Sequence, residues 1–313
     1  MNTRRIAIAC GAVGGLVGLA AFAPTLFPEA TIEIALRFER DLAGLERRTV
    51  VVQDHTIHYL DGGPRDAPVV LALHGFGVDK DSWTRMARAF TGEYRVIAPD
   101  LPGWGESTAL ESASYDIESQ ARRVDGFARA LHLPPHHLAG NSMGGQVAAA
   151  YTVLFPERVR TLALVANAGV RSPKPSELSV LRARGENPLL VASAADYERL
   201  LDFVFVERPW IPSAMQGHFA ARATAHAQLS IKIWEQITAR PYPLEPVLAQ
   251  IQAPVLILWG ENDRVLDVSC IEAMKPLLPE ATIVVMKACG HGPMVERPSE
   301  FAEHYLRFLT SPH

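Results

Sequence analysis

After Arg4 and Arg5, the run from Ile6 to Phe27 carries no charge. Its 22 residues, at about 1.5 Å rise each, span roughly 33 Å, enough for a bilayer core, and the pattern predicts a transmembrane helix within residues 1–28. A cleaved signal peptide is the rival reading, because Ala21-Phe22-Ala23 mimics a small-x-small cleavage site, although Pro24 follows it directly. Beyond Pro28 the pattern changes. Ile34, Phe38, Leu42 and Leu45 recur at spacings of four, four and three among Glu33, Arg37, Glu39 and Arg40, which predicts an amphipathic helix over 29–47. Such a helix either lies on lipid or packs on the domain that follows.

From Thr49 to Leu60 two β-branched runs flank Gln53-Asp54, the pattern of a hairpin. Short apolar runs then stand at Val69 to Leu73, Arg95 to Ala98, Leu162 to Ala166, Val255 to Trp259 and Thr282 to Met286, separated by helix-length segments. They are too short for helices, and their alternation predicts an α/β fold, a mostly parallel central sheet with helices on both faces. The rhythm breaks between about Arg171 and Pro254, where prolines such as Pro173, Pro188, Pro212 and Pro243 punctuate helical stretches that lack a buried strand. The core therefore reads as two parts, 48–170 and 254–313, with an inserted helical cap at 171–253.

Composition narrows the function. Thirty Lys+Arg against 34 Asp+Glu give a net charge of −4, with no long basic run, so a nucleic-acid surface is excluded. A charged fraction of 20% beside 48% hydrophobic residues excludes disorder. The three cysteines, Cys10, Cys270 and Cys289, make neither a disulfide framework nor a zinc spacing, and they do not fix the compartment.

Gly140-Asn141-Ser142-Met143-Gly144 fits G-x-S-x-G, with strand-like His137 to Ala139 before it and helix-like Gly145 to Leu154 after it. That context makes a nucleophile elbow, a tight turn that holds the hydroxyl of Ser142 above the sheet. A serine hydroxyl is a weak nucleophile at neutral pH, so it needs a base, and the base needs an orienting carboxylate. In folds that carry this elbow both follow downstream, in the order Ser, acid, His. Val255 to Trp259 runs into Gly260-Glu261-Asn262-Asp263, and Thr282 to Met286 runs into Cys289-Gly290-His291-Gly292. Asp263 and His291 fill the two positions. Asp267 is the rival acid, but Asp267-Val-Ser-Cys-Ile-Glu272 looks like a helix start, where aspartate caps free N–H groups. After the earlier strand the corresponding position is Asn167, which carries no charge.

The oxyanion donors of such a site are backbone N–H groups, one on Met143 and one on Phe76 in the loop His74-Gly75-Phe76-Gly77. Serine, base and N–H donors complete the chemistry, so no metal and no cofactor is called for. Asp100 to Ser107 reads as a structural turn at a strand end, and Cys289 as a buried thiol rather than a redox group. Apolar cap segments at Leu189 to Val191 and Phe203 to Val206, with Trp210 and Trp234, are candidates for an acyl pocket, about half of them being expected merely to pack the cap.

These stretches resemble the α/β-hydrolase superfamily and, more narrowly, the membrane-anchored monoacylglycerol lipases and the bacterial family V lipases and phospholipases. The resemblance rests on His74 to Trp83, Asn141 to Val147, Trp259 to Ser269 and Cys289 to Pro298, spans the chain from about Arg48 onward, and is weak in the cap. It implies Ser142 as nucleophile, Asp263 and His291 as its partners, Phe76 and Met143 as oxyanion donors, and a membrane lipid or other acyl ester as substrate. Carbon-carbon bond hydrolases of the meta-cleavage type also use Gly-Asn-Ser-Met-Gly-Gly, but they usually extend the first loop with Pro-Gly and carry tryptophan where Gly292 stands. A non-catalytic lipid-binding homologue is the remaining alternative.

Arg4 and Arg5 precede the apolar run, whereas Glu29 and Glu33 come before the first basic residue beyond it. The bias predicts a cytoplasmic N-terminus with the catalytic domain outside, in the periplasm if the source is bacterial. Gly11 with Gly15, and Gly14 with Gly18, stand four apart, the spacing of close helix pairing in a homodimer and equally of ordinary membrane-helix composition.

Overall fold

The computed structural model describes residues 28–312. The expected membrane run from Ile6 to Phe27, its glycine pairs and Cys10 lie outside the described residues. Among the described residues no helix is long and apolar enough to cross a membrane.

In chain order, α1 (Pro28–Leu42) precedes β1 (Leu45–Val52) and β2 (His55–Gly62). Next, β3 (Val69–Leu73) leads through a tight helical turn at Lys80–Trp83 into the short α2 (Thr84–Ala87). Then follow β4 (Arg95–Pro99), α3 (Ile117–Ala130), β5 (His136–Asn141), α4 (Met143–Leu154) and β6 (Val159–Val165). The chain next leaves the sheet for α5 (Glu177–Ala183), α6 (Ala194–Val204), α7 (Ser213–Ala225), α8 (Ala227–Ala239) and α9 (Glu245–Leu248). It returns with β7 (Val255–Gly260), α10 (Cys270–Met274), β8 (Thr282–Met286), α11 (Pro293–Glu296) and α12 (Pro298–Thr310).

The strands form one sheet in the order β1-β2-β4-β3-β5-β6-β7-β8. The hairpin β1/β2 turns at Gln53-Asp54, and β2 pairs antiparallel with β4, while every later pairing is parallel. Alternate side chains of a strand point to opposite faces, and here both faces are covered. Leu71 and Leu73 enter a core with Phe127, Val147 and Trp259, whereas Val70 and Ala72 enter a second core with Trp83, Phe90 and Phe301. The strand is therefore apolar at every position, which is why β3 reads as a continuous run.

Helix α1 ends earlier than its periodicity suggests. Gly44 takes a left-handed φ of +65° just after the helix, the conformation that glycine adopts without steric cost and that stops a helix. Leu45 consequently opens β1 and is buried, so the predicted helix over 29–47 stops at Leu42 and the sheet begins before residue 48. The inward face of α1 presents Ile32 and Arg40, and Arg40 pairs with Asp81 through two hydrogen bonds of 2.7 and 2.6 Å. Ile34, Phe38 and Leu42 do not pack on the domain. They are 68%, 61% and 46% exposed.

Candidate active site

Ser142 stands between the end of β5 and the start of α4 with φ 53° and ψ −118°, a sparsely populated conformation for a side chain with a Cβ. The surrounding backbone holds it there. Its N–H donates to the Val165 carbonyl at 3.0 Å, and its own carbonyl accepts from Gly145, Gln146 and Ala168. A Cβ at residue 140 would lie 2.3 Å from the Gly144 carbonyl oxygen, and one at residue 144 would lie 2.4 Å from the carbonyl oxygens of Leu73 and His74. Close backbone approach, as much as turn geometry, therefore requires glycine on both sides of the serine.

Asp263 follows β7 with its side chain fully buried. One carboxylate oxygen accepts the N–H groups of Val265 and Leu266 at 2.8 and 2.9 Å, and the other lies 2.8 Å from Nδ1 of His291, in the loop after β8. Asp267 instead accepts the Ser269 N–H at 2.9 Å in an Asx turn just before α10; it is not the helix cap expected of it, since the cap residue is Ser269, which makes no side-chain cap bond. Asn167 is buried after β6 and donates to the Ala168 carbonyl.

Met143 is the first residue of α4, so its N–H belongs to the first turn, which has no acceptor within the helix. Phe76 lies in the loop after β3, its ring edge-on to Trp104 at 4.7 Å and to Trp234 at 5.3 Å. That loop is anchored below by His74. Burial holds the His74 imidazole below its ordinary pKa, and the neutral ring accepts the Leu101 N–H on Nε2 while Nδ1 donates to the Gly75 carbonyl. The stretch from Asp100 to Ser107 supports the same loop. The buried Asp100 carboxylate takes both the backbone N–H and the ammonium of Lys80 at 2.8 Å, and also the Glu106 N–H. Burial pushes the Cys289 thiol up to about 12 and Cys270 to about 11, so neither is a thiolate at neutral pH.

Ser142 and His291 line one cavity of about 320 Å³ together with Phe76. Leu189, Val191, Val204 and Phe205 form part of its apolar wall. Other residues of those cap segments do not reach it: Phe203 packs with Leu178 and Val265, Trp210 is 81% exposed, and Trp234 meets Phe76 edge-on with the Arg182 guanidinium over its own ring. In the lining of the same cavity Arg222 of α7 faces Asp79 at 3.3 Å. Burial, with Asp81 and Asp100 nearby, raises the Asp79 carboxyl to about 6.

Two further residues tie the site together and escaped the sequence reading. The Asn141 side-chain amide donates to the carbonyls of Val165 at 3.2 Å and His291 at 3.1 Å, joining the serine turn to the histidine loop. Glu296 accepts three backbone N–H groups, from Gly290, Val206 and Glu207. Their partners are backbone atoms, which leave no residue pattern to read.

Residues 68–298 match the family model described as the alpha/beta hydrolase fold. Lipase 1 of Psychrobacter immobilis is 34% identical over 295 residues, covering 92% of each chain. Monoacylglycerol lipase ABHD6 of Homo sapiens is 29% identical over 300 residues, covering 92% of this chain and 89% of that one. The crystal structure of a bacterial membrane phospholipase A superposes with a TM-score of 0.90 at 46% identity, over 98% of both chains.

Proposed function

The chain belongs to the alpha/beta hydrolase family and is a hydrolase acting on esters, and from that premise we propose a serine-dependent lipase or phospholipase that releases fatty acid from acylglycerols or (lyso)phospholipids. Ser142 Oγ attacks the ester carbonyl as His291 Nε2 takes its proton, and the N–H groups of Phe76 and Met143 receive the oxyanion. Collapse expels the alcohol, which takes the proton back from His291. Water then attacks the acyl-enzyme by the same route and frees Ser142 with the fatty acid. Asp263 holds the imidazole with its proton on Nδ1, leaving Nε2 free to accept. The observation that carries this reading is the 2.8 Å pair between Asp263 and His291 beside the cavity that holds Ser142.

The apolar cap wall suits an acyl chain, so the insertion at 171–253 selects the substrate. The outward stripe of Ile34, Phe38 and Leu42 supports attachment to lipid, continuing from an N-terminal membrane helix that crosses once, leaves the N-terminus cytoplasmic and pairs two protomers through its glycines. Ser142→Ala is expected to lose labelling by a fluorophosphonate probe and turnover of p-nitrophenyl butyrate with the fold intact. Persistent labelling rejects the nucleophile, and preference for a dienone over the ester rejects the substrate class. Protection of the domain from protease in intact spheroplasts overturns the orientation, and undiminished crosslinking after Gly11, Gly14, Gly15 and Gly18 are changed to Leu overturns the pairing.

A further inference from the structure

The loop that carries His291 rests on the cap rather than on the core alone. The His291 N–H donates to the Val204 carbonyl, the last residue of α6, at 2.8 Å. A Cβ at Gly290 would lie 2.3 Å from that same oxygen, so the loop approaches the cap backbone as closely as glycine permits. Beside this contact stands Glu296, the last residue of α11. One of its carboxylate oxygens accepts the Gly290 N–H at 2.9 Å. The other accepts Val206 at 3.1 Å and Glu207 at 2.9 Å, both in the cap segment that follows α6. One anion thus satisfies donors from both strips of chain beside their direct contact at Val204, with charge-assisted bonds stronger than those of a neutral acceptor.

The structure assigns Glu296 a positioning role: its carboxylate clamps the cap segment Val204 to Glu207 to the loop of His291, so that the placement of the base depends on the seating of the cap. The inference rests on His291 acting as the base for Ser142. The group that touches substrate is still His291, and Glu296 acts through it. Glutamine in place of Glu296 keeps the volume but presents an NH2 group to backbone donors on one side, so the clamp opens on the loop or on the cap. A displacement of the base by about 1 Å costs as much as a hundredfold in rate, and the half-buried clamp should cost about tenfold to a hundredfold.

The test compares wild type with Glu296→Gln and Val206→Pro, which deletes one donor on the cap side without altering the histidine loop. Phe205, at φ −114° and ψ 145°, already has the extended conformation required before proline. Active sites are titrated with a fluorophosphonate, p-nitrophenyl butyrate turnover is measured per titrated site, and the thermal midpoint is recorded. The expected result for Glu296→Gln is a fall in kcat with KM little changed and an equal fall in the rate of fluorophosphonate labelling, with Val206→Pro showing a smaller loss of the same kind. Unchanged kcat per titrated site, with only the thermal midpoint lowered, overturns the inference and leaves Glu296 as a fold residue. Should Glu296→Gln fail to fold, full kcat in Val206→Pro overturns the cap linkage. A wild type that neither labels nor cleaves the ester overturns the underlying function, an outcome distinct from equal wild-type and variant rates.

Discussion

Replacing Asp263 by Asn separates two carboxylates that the sequence alone leaves in competition. The wild-type side chain serves three donors, with Val265 and Leu266 on one oxygen and His291 Nδ1 on the other. An amide offers a single oxygen. If that oxygen keeps the two backbone N–H groups, the NH2 group faces Nδ1, which must then accept, and the ring proton moves to Nε2. The nitrogen required by Ser142 is then occupied, and kcat should fall by about 10⁴, the cost of the wrong imidazole tautomer in a serine triad. At 1.36 kcal/mol per decade this is roughly 5–6 kcal/mol of barrier. Asp267→Asn instead weakens one turn hydrogen bond to Ser269, which costs about 1 kcal/mol of stability or less and leaves kcat unchanged. The assay is p-nitrophenyl butyrate hydrolysis at pH 7 per titrated site, with thermal unfolding run in parallel. A larger loss of kcat in Asp267→Asn, or retention of more than about a tenth of wild-type kcat in Asp263→Asn, refutes the reasoning.

Lys80→Met strips the partner from the fully buried Asp100 carboxylate and should cost about 3–5 kcal/mol in urea unfolding; a loss below about 1 kcal/mol means that Asp100 is not charged there. Gly144→Ala drives a methyl group against two carbonyl oxygens at 2.4 Å, so it should lower both the thermal midpoint and the rate of Ser142 labelling, and unchanged labelling would contradict the elbow geometry. Asp79 titrates near 6 when folded against an ordinary value of 3.8, so its protonated form favours folding and that contribution is lost as pH rises from about 4 through 6. Unfolding free energies of Asp79→Asn should therefore improve relative to wild type over that range and level off above about pH 7, and a difference constant with pH refutes the shift.

Parallel strands buried on both faces show in sequence as unbroken apolar runs, and Val69 to Leu73 and Val255 to Trp259 could be placed for that reason. His136 to Asn141 could not be placed by hydrophobicity, since it holds two histidines, a glycine and an asparagine; only the serine turn after it marks it as a strand. Ser142 was legible from its glycine-flanked pentapeptide, and Asp263 and His291, which the structure brings to 2.8 Å, from their positions a few residues after apolar strands. Asn141 and Glu296 were not, because the atoms they bind are main-chain groups from remote segments. In α1 the periodicity gave the stripe of Ile34, Phe38 and Leu42, but not its direction. Direction is decided by Arg40, whose pairing with Asp81 turns the opposite side of the helix inward. Leu45 fitted the same periodicity and went into a strand, because a left-handed glycine intervened.

The bond from Asn141 to the His291 carbonyl closes a loop of 150 residues and spans the whole cap. During synthesis the first six strands and the serine turn leave the ribosome well before the histidine loop does, so a nascent chain exposes Ser142 without His291. Here Asp263 and His291 can meet only after the last strand, β8, has emerged, so a chain that stops short of it holds Ser142 without that pair.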